Sequence, residues 1–128
     1  MSEEKPPFGV IAWIDLTIPD AEKVRDFYTA VVGWRPHAVN MGEYEDYAMI
    51  PAGDQTPVTG VCHARGGNQS LPPYWLIYIT VEDLDHSVAE CTKLGGKVLV
   101  GPKEMGEDRY CVIQDPAGAV SALYQKSE

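Results

Sequence analysis

Asp15 and Tyr78 hold the most useful chemistry in this 128-residue chain. A carboxylate and a phenol that face one pocket can exchange a proton with a bound molecule if burial raises the carboxylate pKa. The structural alternative gives Asp15 a hydrogen bond to a neighbouring strand or to Arg35, where it only holds a sheet together. Cys62 and His63 have the residue types of a metal pair or a Cys–His nucleophile. Adjacent strand residues point to opposite faces, however, so these two cannot easily converge on one atom. A partly exposed His63 is the plainer reading. His37, after Pro36 in an edge strand, and His86, in a first helical turn, are expected to face solvent. Arg109 could bind an anionic ligand, or pair at the surface with Glu107 or Asp108. Phe27 and Tyr28 are assigned to the core, while Trp13 and Tyr78 suit a pocket wall, because large amphipathic rings line small-molecule sites. No phosphate loop, nucleophile elbow or HExxH is present, and no residue is assigned as catalytic.

The elements that must position these residues come from an internal repeat. Tyr47-Ala48-Met49-Ile50 reappears 63 residues later as Tyr110-Cys111-Val112-Ile113. The same offset carries Ile14, Asp15, Leu16, Thr17, Ile18 and Asp20 onto Ile77, Tyr78, Ile79, Thr80, Val81 and Asp83. Several matches in one register indicate two copies of a module of about 60 residues. In the first, Ile14, Leu16 and Ile18 alternate as in a strand, and Asp20 is placed to cap a helix. Val24, Phe27, Tyr28 and Val31 recur at helical spacing, and Gly33 stops the helix. Three strands are predicted to follow, over 34–40, 44–50 and 58–64. The second copy predicts a strand over 74–81, a helix from Asp83 to Gly95-Gly96, and strands over 97–100, 109–113 and 119–125. The segment from Pro102 to Glu107 is expected to be a loop over the cavity mouth, a lid or a connection. The fold class is α+β: βαβββ twice, in one domain over 1–128, with module 1 at 9–65, a linker at 66–73 and module 2 at 74–125.

Composition narrows the function classes. Ten Lys and Arg against nineteen Asp and Glu give a net charge of −9. A nucleic-acid binder needs a basic footprint and an anionic membrane surface attracts one, so both partners are excluded. No apolar run reaches the roughly 18 residues of a spanning helix. The N-terminus Met1-Ser2-Glu3-Glu4-Lys5 is charged, unlike a secretory leader. Three cysteines without CxxC spacing indicate reduced thiols and a cytoplasmic location.

The motifs together resemble the vicinal oxygen chelate superfamily, the glyoxalase/bleomycin-resistance/dioxygenase fold. The carriers are the stretch from Ile14 to Asp20, Phe27-Tyr28 with Gly33-Trp34, Ile79 to Asp83, Leu94-Gly95-Gly96, and the closing Asp115-Pro116-Ala117-Gly118. The resemblance spans about residues 9 to 125. It implies two modules curling a mixed sheet around a cavity, and a two-fold homodimer paired through sheet edges. It also implies metal ligands on the first and last strands, at positions that here are Trp13, Leu76 and Ala122, with a fourth near Gly60 to Cys62. Trp, Leu and Ala cannot coordinate a divalent cation. No metal or other cofactor is therefore expected, and the metal-dependent chemistries of glyoxalase I and extradiol cleavage are not inherited.

By strand parity Ile14, Leu16, Ile18, Ile77, Ile79 and Val81 pack on helices. Trp13, Asp15, Tyr78, Ala122 and Tyr124 then face the cavity as the ligand-binding set. The expected function is binding of a small hydrophobic or aromatic molecule at a degenerate metal site. The alternatives are a lyase or isomerase of the same superfamily, acting through Asp15 and Tyr78 or an unrecognised metal site, and a non-catalytic accessory module.

Overall fold

The computed structural model describes residues 7–65 and 69–127. The charged first residues, and positions 66–68 of the expected linker, lie outside the described residues. In chain order the elements are β1 (Ile11–Ile18), α1 (Ala21–Val32), β2 (Arg35–Asn40), β3 (Glu45–Ile50), β4 (Thr59–His63), β5 (Leu76–Thr80), α2 (Leu84–Lys93), β6 (Lys97–Met105), β7 (Asp108–Gln114) and β8 (Val120–Gln125). The order βαβββ occurs twice, so the α+β class stands. The chain divides into two units: residues 13–76, and a second that runs up to Ala12 and resumes at Ile77.

In the unit of residues 13–76 the strands lie in the order β2-β3-β4-β1. β1 and β4 run parallel and the other neighbours antiparallel. The Asp20 side chain accepts the Lys23 N–H at 3.3 Å and starts α1. Gly33, at φ 79°, ends it in the left-handed conformation that lacks a Cβ penalty. Leu16, Ile18, Ala21, Tyr47, Met49 and Val61 are buried together, with Val24 and Tyr28 of α1 packed against them. Each large side chain so buried contributes roughly 1.5–3 kcal/mol of transfer free energy. Ile14 has the same parity as Leu16 but is exposed, because the first half of β1 lies outside that cluster.

Phe27 corrects its core assignment: it is 55 % exposed. The buried stripe of α1 runs through Ala21, Val24 and Tyr28, and Phe27 falls to one side of it, edge-on to the Tyr28 ring at 5.0 Å. Tyr28 anchors instead a ring cluster with Trp34 and Trp75, whose indole N–H donates to the Tyr28 hydroxyl at 3.2 Å.

In the other unit the order is β5-β8-β7-β6, with β5 parallel to β8. Asp83 caps α2 through the His86 N–H at 3.1 Å. Leu84, Cys111 and Leu123 are buried together, joined by Ile79, Val81, Val88, Val98 and Ile113. The parity of Ile79 and Val81 is as expected. The Gly9 N–H reaches the Thr80 carbonyl at 2.7 Å, and the Thr80 N–H reaches that of Val10 at 2.9 Å.

The expected loop, a lid or a connection, is strand as far as Met105, and only Gly106-Glu107 form the turn to β7. Pro102 to Met105 continue β6, which pairs with β7 as far as Met105 opposite Asp108. The register shifts between Val98 and Val100 and again between Val100 and Lys103. Such irregularities admit Gly and Pro into a strand, which hid this one. Gly101 is needed there: at φ +84° a Cβ would meet the Lys103 nitrogen at 2.9 Å and the Tyr110 carbonyl oxygen at 3.0 Å.

Candidate functional site

Trp13 and Asp15 stand on β1. Asp15 lies opposite Gly60 and Thr17 opposite Cys62 across the parallel pair. A Cβ on Gly60 would sit 3.5 Å from the Cys62 Sγ and 3.7 Å from the Asp15 Cβ. Asp15 and Cys62 therefore share the sheet face away from α1, with a glycine leaving room between them. Trp13 is 39 % exposed on the same parity. The Arg35 guanidinium donates to the Asp54 carbonyl at 2.7 Å.

Tyr78, Ala122 and Tyr124 stand in the other unit, on the sheet face opposite α2. Tyr78 is the register partner of Ala122, and Thr80 that of Tyr124. Tyr78 is 7 % exposed and its ring lies 6.4 Å from that of Tyr110. The Tyr124 hydroxyl donates to Asp108, and this bond, followed by burial, pushes the phenol up to about 12. The Asp108 carboxyl is held low, first by the Ser127 N–H and then by Tyr124. Of the five candidates, two thus share one strand and three sit on paired strands of the other unit.

The residues at the family's metal positions do not suit a metal. Leu76 is 1 % and Ala122 0 % exposed, with no donor atom, and the Trp13 indole offers an N–H where a ligand needs a lone pair. Among the described residues no three His, Cys, Asp or Glu side chains gather as metal ligands.

Asp46 is the residue that sequence reasoning missed. It is buried, accepts the His63 backbone N–H at 2.8 Å, and lies 3.3 Å from the His63 Nδ1. Burial first, then the Asp15 and Asp46 carboxylates, push the neighbouring Cys62 thiol up to about 12. Cys62 is therefore a protonated thiol and no nucleophile. One carboxylate acts on both halves of the Cys62-His63 pair, although the two side chains leave opposite faces. His63, whose side chain is 13 % exposed, is more enclosed than expected, and its ring lies beside Tyr44 at 5.4 Å and Tyr47 at 6.2 Å. These three residues line a surface cleft of about 560 Å³ within this unit. Local pattern gave no sign of it, because Asp46 meets His63 only through the pairing of β3 with β4.

Arg109 does not pair with Glu107 or Asp108. It forms a two-pronged ion pair with Asp85 of α2, at 3.0 and 3.2 Å, which holds the Asp85 carboxyl below its ordinary value. Arg109 has the parity of Cys111 and Ile113, which pack with Leu84 and Val88 of α2, so its side chain leaves the sheet toward that helix. His37 and His86 are exposed, as expected.

Comparison with known proteins places this geometry. Over 130 aligned residues the chain is 29 % identical to the anthracycline biosynthesis protein DnrV of Streptomyces peucetius, covering 92 % of this chain and 47 % of that protein. It is 28 % identical over 116 residues to the putative glyoxylase CFP32 of Mycobacterium bovis, covering 90 % and 43 %. The chain thus spans about half the length of the curated relatives it matches. A solved methylmalonyl-CoA epimerase of Streptomyces coelicolor superposes with a TM-score of 0.52 at 18 % identity, over 95 % of this chain and 100 % of that one, which shows a shared fold. No helix among the described residues is long and apolar enough to cross a membrane. The model of the Glyoxalase/Bleomycin resistance protein/Dioxygenase superfamily matches residues 10–122, and the chain belongs to that superfamily.

Proposed function

We propose that this chain is a cytoplasmic, metal-independent binder of a small apolar or aromatic molecule, and that it works as a two-fold homodimer. The chemistry at Trp13, Leu76 and Ala122 carries this reading: an indole and two aliphatic groups stand where the superfamily's metal enzymes place ligands. Such groups favour an apolar guest. Asp15 adds one acceptor, so the favoured ligand is planar and carries a donor or a positive charge. The relative named for anthracycline biosynthesis supports trying that class first. In the unit of residues 13–76 the proposed contacts are Trp13 and Asp15, and in the other unit Tyr78, Ala122 and Tyr124 form a set proposed separately.

The test is a thermal-shift screen of planar aromatic amines with doxorubicin included, since a ligand that binds only the folded state raises Tm. For a hit, Asp15→Asn is expected to weaken binding by about 1–3 kcal/mol, the usual cost of losing a charged hydrogen bond. Trp13→Ala weakens it as well, while His63→Ala changes it little. A panel without a single hit, or a hit bound equally by the Asp15 and Trp13 variants, counts against the reading.

Assembly is tested separately. All six residues of β2 are exposed, and it is an edge strand of the kind that proteins tend to cover. Sedimentation equilibrium is expected to give twice the 14.1 kDa chain mass. A monomer at micromolar concentration rejects the dimer.

A further inference from the structure

We infer that the cleft around His63 is a second binding site, separate from the one proposed above, and that it takes a small organic cation, an amine or a guanidine. Its place in the fold comes first. Tyr47 pairs with Val61, and both belong to the core under α1. His63, two residues after Val61, has the same parity. Tyr47 and His63 are thus on the α1 side of the sheet, whereas Trp13 and Asp15 are on the other. Neither Trp13 nor Asp15 lines the cleft.

The chemistry of the walls selects the ligand. Asp46 holds His63 twice, through the backbone N–H at 2.8 Å and the ring Nδ1 at 3.3 Å. In the neutral ring a carboxylate at Nδ1 pairs with a proton there, in the tautomer whose Nε2 is an acceptor. In that tautomer the ring receives an N–H at Nε2 and does not donate one. Tyr44 and Tyr47 stand beside it, and both rings already carry cations: the Arg65 guanidinium lies 4.3 Å from the Tyr44 centroid and that of Arg25 4.7 Å from the Tyr47 centroid. Aromatic faces attract cations through their quadrupoles. Glu22, Glu43 and Glu45 also line the cleft, against Arg65 in the lining and Arg25 over the Tyr47 ring, so the fixed charge is negative. The Arg65–Glu43 contact is long, at 4.0 Å, and both side chains are largely exposed, so this pair leaves the negative balance available to a guest. An anion would meet three carboxylates and a lone pair. A neutral apolar molecule would strand them. An ammonium or guanidinium satisfies carboxylate, imidazole and ring together.

The test is an NMR titration of the full chain with agmatine, using propionate as the anionic control. Agmatine is expected to shift the amide signals of Tyr44, Tyr47, His63 and Arg65 saturably at millimolar concentration, and propionate is not. His63→Ala and Glu45→Gln are each expected to weaken agmatine by roughly tenfold, the scale of a charge-assisted hydrogen bond. Glu45 is exposed, so its variant keeps the fold if the His63 variant does not. Arg65→Ala removes a competing cation and is expected to tighten agmatine a few-fold. Asp15→Asn, which weakens the ligand of the other site, leaves agmatine unchanged. The inference is overturned by the absence of a saturable shift, by shifts centred on Trp13 and Asp15, by a preference for propionate, or by weaker binding in Arg65→Ala.

Discussion

Alkylation of Cys62 in the folded protein is expected to run about a thousandfold slower than in the unfolded chain, at any pH well below 9. The thiolate is the reacting species, and burial with two nearby carboxylates moves this thiol from its ordinary 9.0 to about 12. Peptide mapping after iodoacetamide treatment at pH 8, with and without urea, measures the ratio for each cysteine. Cys111, raised to about 11 mainly by burial and 0 % exposed, is expected to be slowed in the same direction. A folded Cys62 labelled as fast as the unfolded one contradicts the enclosure described for it.

The same shift predicts alkaline sensitivity, with a definite sign. The folded thiol holds its proton more tightly than the unfolded one, so its contribution to stability is complete below about pH 9 and is lost as pH rises toward 12. Fully lost, it amounts to roughly 4 kcal/mol, since each pKa unit is 1.36 kcal/mol. Urea midpoints of wild type and Cys62→Ala across this range isolate the effect, because other alkaline titrations are common to both. The stability difference in favour of wild type is expected to shrink with rising pH. A difference that stays constant removes Cys62 from the account.

Gly96→Ala is expected to destabilise the protein by about 3 kcal/mol, at the upper end of ordinary overpacking. A Cβ there would lie 2.6 Å from the Cys91 Sγ, 2.9 Å from the Gln114 carbonyl oxygen and 3.1 Å from that of Cys91. The sulfur can rotate away, but the two carbonyls belong to α2 and β7 and cannot. Gly96 thus lets the turn after α2 pass directly against β7, and its own N–H bonds the Cys91 carbonyl at 2.8 Å. The double variant with Cys91→Ala separates the parts: it removes the sulfur contact and leaves the backbone ones. Urea unfolding should show that it recovers only part of the loss. Full recovery would mean that the backbone yields.

How far local pattern reached is clearest from these elements. The caps at Asp20 and Asp83 and the stop at Gly33 act over a single turn of chain, so three or four consecutive residues specify them. Alternation in Leu16-Thr17-Ile18 and Ile79-Thr80-Val81 set which side chains pack on α1 and α2, because the strand period is two whatever the partner. The repeat of Tyr47-Ala48-Met49-Ile50 in Tyr110-Cys111-Val112-Ile113 marked β3 and β7 as equivalent, and with them the whole βαβββ order. The residue types at Trp13, Leu76 and Ala122 were enough to show that these three positions offer no metal ligand, since coordination needs donor atoms before it needs geometry.

Tertiary structure decided what depends on pairing across the chain. Only the register of β3 on β4 brings the Asp46 carboxylate to His63, seventeen residues away in sequence. Only the shifted register of β6 on β7 turns Pro102 to Met105 into strand, against the local preference of Gly and Pro. Phe27 and Tyr28 are adjacent and equally apolar in pattern, and the packing of α1 exposes one and partly buries the other among Trp34 and Trp75. Arg109 had acidic neighbours in sequence, Glu107 and Asp108, and took Asp85 on the helix instead. Periodicity specifies which face a residue belongs to. Which groups meet on that face follows from register and packing, and these are set by contacts that no local window contains.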